Sequence, residues 1–465
     1  MYQYKGLEDT IAAISTPTGQ GGIGIVRISG KEAIAMADAV LHLYGNKKLA
    51  NCQSHTINYG KVIKAKNGEI IDDVLVNLMK APKSYTTEDV VEINCHGGMT
   101  VVRAVLEEVL AAGARLASPG EFTKRAFLHG RMDLTQAEAV MDIIHAKTEN
   151  FVRQSQHQLK GELSTKLKLM REELIKLYTM LEALINFPED GLEAKGHQEI
   201  LKRLSIQEND MATLLESSNS GRLLKEGIRI VLCGKPNVGK SSLLNALLKE
   251  QRAIVTNIAG TTRDVLEESA QIKGIPISLI DTAGILEPRD LIEEEAIKRS
   301  HLYIKGADLV LLVLDHSCPL EKEDKALIEQ LRNARVLVVI NKMDLSGPAI
   351  DELPMKIFGE DAVVKVSSFD SNSIKNLEGR IEKLIHKDKN LDTDGILISN
   401  MRHIKSLEEA QKNLQEASQW LNKKTSFEFI SELIKSAVNQ LDAITGRNID
   451  EDLLDRIFSE FCIGK

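Results

Sequence analysis

Gly234, followed by four residues and then Gly239-Lys240-Ser241, sets a glycine-bounded loop between the apolar run Ile228–Cys233 and the helical pattern LLNALLK at 243–249. Glycines let successive backbone N–H groups converge on a β-phosphate. A lysine at the end of such a loop neutralises β/γ charge, and the hydroxyl beside it ligates Mg²⁺. The spacing therefore predicts a P-loop in which Asn237, Val238, Gly239 and Ser242 line the phosphates, Lys240 neutralises them and Ser241 holds Mg²⁺. A chance glycine turn is the bland alternative, and the strand before it and helix after it weigh against that.

The base is selected downstream. Asn341-Lys342-Met343-Asp344 follows the buried-strand run VLVVI at 336–340. A carboxylate there accepts both the N1–H and the 2-amino group of guanine, which adenine does not offer. A site built on such a pair rejects the analogue lacking it by roughly 10⁴ or more. The expected nucleotide is GTP. Thr261-Thr262 is a candidate switch whose second hydroxyl completes the Mg²⁺ shell. Asp281-Thr282-Ala283-Gly284 places the Gly284 N–H on the γ-phosphate, and Ser367-Ser368, after the strand-like VVKV, forms the loop over the base.

Hydrolysis needs a group that orients water, and the position after Gly284, where many GTPases carry glutamine, is Ile285. Glu293, nine residues after Gly284 on the acidic stretch 287–295, is the candidate replacement, with a solvated surface carboxylate as the plain alternative. Arg263 follows the switch threonines without the marks of an arginine finger. A monovalent cation can supply the missing charge: the side-chain carbonyl of Asn237 suits K⁺ between the α- and γ-phosphates, and backbone oxygens within Thr256–Thr261 can close its shell.

The surrounding chain must position these groups. With 465 residues, 43% hydrophobic and 27% charged, it reads as about three globular domains. No apolar run approaches membrane-span length, the start MYQYKGLEDT has no apolar leader, and cytoplasm is the expected compartment. Five cysteines without a C-x-x-C pair suggest neither a disulfide framework nor a thiolate zinc site. A net charge of −8 leaves any RNA contact to a local basic surface.

The expected fold class is multidomain α/β. Residues 1–120 read as an α+β domain, with strands in IAAIST, IGIVRIS, HTINYGKVI, DDVLVNLM and VVEINC and helices near 31–44 and 99–112. The glycines of TPTGQGGIG (16–24) lack a following Lys-Ser and read as a tight turn. Two helical parts, 121–221 and 388–465, form a discontinuous helical domain into which a Ras-like P-loop G domain, 222–387, is inserted. Leu163, Leu167, Met170, Leu174, Leu177, Leu181 and Leu184 make a 3.5-residue seam ending before Pro188. Leu407, Ala410, Leu414, Ala417 and Leu421 make a second, whose small alanines admit a close partner helix.

With the P-loop, IAGTTRD at 258–264, Asp281 to Gly284, GGIGIVRISG at 21–30, EDVVEINCHGG at 88–98, PGEFTKRAFLHGRMDLTQAEAV at 119–140 and the closing FCIGK at 461–465 in view, the chain resembles the MnmE (TrmE) family of tRNA-modification GTPases over its whole length. The resemblance implies a homodimer built through the N-terminal domains, which bind 5-formyl- or 5,10-methylene-tetrahydrofolate as one-carbon donor. It implies a partner, the FAD- and NADH-dependent MnmG (GidA), and installation of an aminomethyl or carboxymethylaminomethyl group on C5 of the wobble uridine of certain tRNAs.

By position, it assigns K⁺ to Asn237, Thr256, Ile258 and Thr261, with Asn257, Ala259 and Gly260 in the same loop. Mg²⁺ falls to Ser241 and Thr262, catalysis to Glu293, and folate binding to Arg27, Glu92, Arg131 and Lys465. Glu92 has independent chemical support, because a pterin carries the same N–H plus amino edge as guanine. Arg131 departs from the usual lysine, exchanging a point donor for a planar fork. Cys462, between Phe461 and Ile463, reads as a small buried hydrophobe; a tail that reaches the folate cavity would give it a chemical role. The competing reading is a GTP-driven assembly switch with no chemistry of its own, which has no need of the N-terminal domain or the tail.

Overall fold

Apolar runs bounded by turn residues become two sheets, each carrying one group of candidate side chains at its edge or face. The structure, a computed structural model, describes residues 8–186, 193–250, 267–281, 303–348, 351–386, 395–423 and 425–465. Of the candidate residues, Thr256, Asn257, Ile258, Ala259, Gly260, Thr261, Thr262, Thr282, Ala283, Gly284 and Glu293 lie outside the described residues, as does the side chain of Asp281. The chain divides into two compact units, one from 1–141, 158–175 and 438–465, the other from 142–157 and 176–437.

In the first unit the order is β1 (Ile11–Ile14), β2 (Gly24–Ser29), α1 (Ala33–Val40), β3 (Leu41–Leu43), β4 (Thr56–Ile63), β5 (Ile70–Met79), β6 (Val90–Cys95), α2 (Met99–Ala111), β7 (Arg115–Leu116) and α3 (Glu121–Leu128). The strands form a seven-stranded sheet ordered β3-β4-β5-β6-β2-β1-β7. The helix expected over 31–44 stops at Val40, because Leu41 and Leu43 point inward with His42 outward, a period of two that pairs with β4. Inward Val74, Val76, Leu78, Val91 and Ile93 pack with Val102, Val105 and Val109 of α2. The opposite face carries Arg27 beside Glu92 and Asn77 beside Glu92 in the register of β2, β6 and β5. The glycine-rich 16–24 segment joins antiparallel β1 and β2, and a Cβ at Gly24 would sit 2.3 Å from a Val102 methyl.

The helices continue with α4 (Leu134–His145), α5 (Glu149–Leu159), α6 (Glu162–Asn186), α7 (Glu193–Glu216) and α8 (Ser218–Glu226). Along α6 the seam from Leu163 to Leu181 is buried and Leu184 is half-buried. The second unit then builds β8 (Ile228–Cys233), α9 (Lys240–Glu250), β9 (Glu267–Ile272), β10 (Ile275–Asp281), β11 (Leu309–Asp315), α10 (Lys322–Gln330), β12 (Val336–Asn341), α11 (Leu353–Phe358), β13 (Val363–Lys365) and α12 (Ser371–His386). Its sheet runs β13-β12-β11-β8-β10-β9, parallel except for β9. The cores of β11 and β12 are buried throughout because helices cover both faces, as a parallel sheet requires.

Three helices close the chain: α13 (Met401–Asn422), α14 (Phe427–Thr445) and α15 (Glu451–Ser459). The Asn400 side chain caps α13, and its stripe Leu407, Ala410, Leu414, Ala417 and Leu421 is wholly buried on the helix that packs with α7. Within the first unit, α15 and the segment after it lie against α3: a Cβ at Gly120 would meet the Phe458 carbonyl at 2.5 Å, and Phe458 and Phe461 are buried with Ala126 and Leu134. Among the described residues no helix is long and apolar enough to cross a membrane. The fold is thus multidomain α/β: an α+β N-terminal part, a helical part split in sequence, and a Ras-like α/β module between its halves.

Candidate functional site

Parallel strands deliver their C-terminal ends to one edge of the sheet, and in the second unit that edge gathers the loop after β8, Asp315 and Asn341. The loop from Gly234 opens α9, whose first N–H groups have no partner within the helix and face an approaching anion. Gly234 has φ +147, and a Cβ there would stand 2.3 Å from the Val313 carbonyl. Gly239 has φ +93, and a Cβ there would stand 2.3 Å from Asn341 Nδ2. Lys240 is buried, and its ammonium donates to the Gly234 and Lys235 carbonyls at 2.8 and 2.7 Å. Ser241 and Ser242 are exposed on the first turn of α9, and Asn237, at φ +64, is exposed in the loop.

The base end is tied to the phosphate end by side chains. Asn341 Nδ2 donates to the Val238 carbonyl at 3.0 Å, and Lys342 Nζ to the Asn237 carbonyl at 2.7 Å. Lys342 also pairs with Asp315 at 2.6 Å. Burial alone would raise the Asp315 carboxyl, but the Lys342 and Ser317 hydrogen bonds outweigh it and hold the group below its ordinary value. Ser368 Oγ donates to Asn341 Oδ1 at 3.0 Å, and Ser367 Oγ to Asp344 Oδ1 at 2.7 Å. The Met343 N–H donates to the Val366 carbonyl at 3.2 Å. Asp344 is exposed, with carboxylate capacity left for two more donors.

The structure therefore brings Asn237, Val238, Gly239, Lys240, Asn341, Lys342, Met343, Asp344, Ser367 and Ser368 to one edge. Exposed hydroxyl Ser241 and exposed amide Asn237 have the oxygen donors that Mg²⁺ and K⁺ take, hard cations held by oxygen.

The second group lies in the first unit. Arg27 Nε and Nη2 both approach Glu92 Oε1 at 2.9 Å, and Asn77 Nδ2 donates to Glu92 Oε2 at 3.4 Å. Arg27 Nη1 and Ser15 Oγ donate to the Gly464 carbonyl at 2.9 and 3.1 Å, which seats the FCIGK segment beside the pair. Gly464 has φ +90, and a Cβ there would meet the Ile14 carbonyl at 2.3 Å. Burial, then the nearby Arg27 cation, lowers the Lys465 ammonium from its usual value.

Arg131 joins through an aromatic: Nη1 donates to the Tyr85 carbonyl at 2.6 Å, and the guanidinium stands 4.9 Å from the Tyr85 ring centre. Arg27 faces the same ring at 5.9 Å. The planar fork at 131 is thus used for stacking, which a lysine would not reproduce. Among the described residues Glu92 Oε2 holds one long hydrogen bond, so the carboxylate fits an N–H plus amino edge such as a pterin presents. Cys462 does not follow the buried-hydrophobe expectation: it is exposed, because the turn anchors through Phe461 and through the Cys462 carbonyl, which accepts from Gly120 N at 3.3 Å.

Sequence reasoning missed Asp315, Tyr85, Ser15 and Asn77. Asp315 carried a signal, an acid ending the run LVLLVLD. Tyr85, in a loop 46 residues from Arg131, carried none.

The family profile described as the GTP-binding protein TrmE N-terminus matches residues 10–131, and that of the MnmE helical domain matches residues 134–462. The chain is 44% identical over 459 residues to the tRNA modification GTPase MnmE of Alkaliphilus metalliredigens (strain QYMF), covering 99% of this chain and 100% of that protein. It is 46% identical over 459 residues to the protein of the same name from Thermoanaerobacter pseudethanolicus, covering 98% and 99%. To that of Clostridioides difficile (strain 630) it is 41% identical over 459 residues, covering 99% and 100%.

Proposed function

This chain belongs to the MnmE (TrmE) family, and from that membership we propose that it is a GTP hydrolase of tRNA modification. With MnmG it adds an aminomethyl or carboxymethylaminomethyl group to C5 of the wobble uridine of certain tRNAs in the cytoplasm. The observation that carries the nucleotide half is the pair of ties from Asn341 to Val238 and from Lys342 to Asn237, which joins a base-reading loop to a phosphate loop. The division proposed is an N-terminal folate and dimer domain at 1–120, a G domain at 222–387, and a helical domain at 121–221 and 388–465 with the tail.

In this reading Lys240 draws the β/γ charge, and the Gly284 N–H holds the γ-phosphate. Ser241 and Thr262 hold Mg²⁺, while Asn237, Thr256, Ile258 and Thr261 hold K⁺. K⁺, when bound, would supply the kind of positive charge that an arginine finger supplies elsewhere. Glu293 orients the attacking water. Arg27, Glu92, Arg131 and Lys465 bind the reduced folate, which supplies the one-carbon unit. The homodimer is supported by the outward face of β4 and β5, where Ile57, Tyr59 and Leu75 are exposed and Tyr59 stacks on Tyr44 at 4.5 Å. The tail beside Arg27 favours a chemical role over a pure assembly switch.

Mass analysis of wobble nucleosides tests the reading: cells lacking this protein are expected to lose the C5 modification, and an unchanged nucleoside profile would refute it. Replacing Na⁺ by K⁺ is expected to raise GTP turnover by on the order of ten-fold or more, part of what an arginine finger supplies elsewhere. Equal rates in the two salts would remove Asn237 as a cation ligand.

A further inference from the structure

Phe369 is 88% exposed, the highest value for a large apolar side chain among the described residues. It follows directly on Ser367 and Ser368, whose hydroxyls hold Asp344 and Asn341. Its backbone is held in place, with its N–H donating to Ser367 Oγ at 3.3 Å. The next residue, Asp370, caps α12, accepting from Asn372 N at 3.1 Å and Ser373 N at 3.2 Å. An apolar residue just before a cap ordinarily folds back on the fourth residue of the helix. That residue, Ile374, is buried in the core, and the phenylalanine is left in solvent instead. Among the described residues Phe369 is given almost no packing, yet its backbone is held at the lip of the base-reading loop. Across that loop the Lys342 stem runs to the Asn237 carbonyl, an apolar floor with its ammonium tied down.

We propose that Phe369 is a binding residue for the nucleotide, its ring stacking on the purine so that the base lies between Phe369 and the Lys342 stem. This rests on the guanine-nucleotide reading. Stacking uses the π-face of the base and does not read its edge. Phe369 therefore sets affinity for purine nucleotides as a class, while Asp344 sets the choice among them.

The test is calorimetric titration of the full chain with GDP and with IDP, which lacks the 2-amino group. Phe369→Ala is expected to weaken both by on the order of ten- to a hundred-fold, leaving their ratio unchanged. Phe369→Trp is expected to restore binding and to show indole quenching on GDP addition, against the constant emission of Trp420, the native tryptophan. GDP binding within two-fold of the parent by Phe369→Ala, or Phe369→Trp emission indifferent to saturating GDP, would overturn the stacking role while leaving the guanine reading standing. Absence of GDP binding by the unsubstituted chain would overturn both.

Discussion

Asp344→Asn is expected to exchange the preferred nucleotide from GTP to XTP. In the parent the carboxylate accepts two donors from guanine while Ser367 Oγ already donates to Oδ1 at 2.7 Å. In the variant that hydroxyl keeps the amide oxygen as its acceptor, which turns the amide NH₂ toward the base. An NH₂ facing the guanine N–H and amino group leaves donor against donor, whereas the xanthine 2-oxo group accepts. A wholly enclosed pair of this kind discriminates by 10⁴ or more; with Asp344 exposed, the loss of GTP affinity is expected at on the order of 10²- to 10³-fold, matched by a gain for XTP. Titration with both nucleotides measures it. A variant that still prefers GTP would show that Asp344 does not read the base.

Gly464→Val is expected to remove reduced-folate binding while leaving GDP affinity as in the parent. A Cβ at this position would stand 2.3 Å from the Ile14 carbonyl and 2.8 Å from Ser15 Cα, both backbone atoms of β1 or its end. The φ of +90 adds strain for any branched residue. The segment must then leave its seat, stripping the acceptor from Arg27 Nη1 and Ser15 Oγ and carrying Lys465 away. Leaving two partly buried donors unmatched and losing the ammonium weakens folate binding by on the order of 10²-fold or more. Phe461 contributes separately to anchoring, so Phe461→Ala is expected to fall in between. A Gly464→Val protein that binds folate within two-fold of the parent would show that the segment is not part of that site.

The α/β module was legible because its signals are local. Runs such as LVLLVLD and VLVVIN can be buried on both faces only inside a covered parallel sheet. Spacing within a dozen residues was enough to name Gly239 and Asp344 as candidates. What could not be read depends on which strands become neighbours. The Lys342–Asp315 pair exists because β11 and β12 lie side by side with Asp315 opposite Asn341, and nothing in either segment announces the other. Tyr85 beneath Arg131 is the same kind of contact. The end of α1 was overrun because a three-residue strand is too short to declare its period against the helix before it. Exposure of Cys462 depends on how a turn anchors, which composition does not contain.

The hydrogen bond from Arg27 to Gly464 closes 437 positions of chain. Strand β2 is made early in translation, and at about 5–20 residues per second its arginine waits roughly 20 to 90 s for the acceptor to be synthesised. Glu92, only 65 positions after Arg27, is made long before Gly464 and is the carboxylate available to pair with the guanidinium in the meantime. The order of synthesis thus makes the Arg27–Gly464 tie available to this sheet only after its strands and their other partners in β6 and β5 have been made.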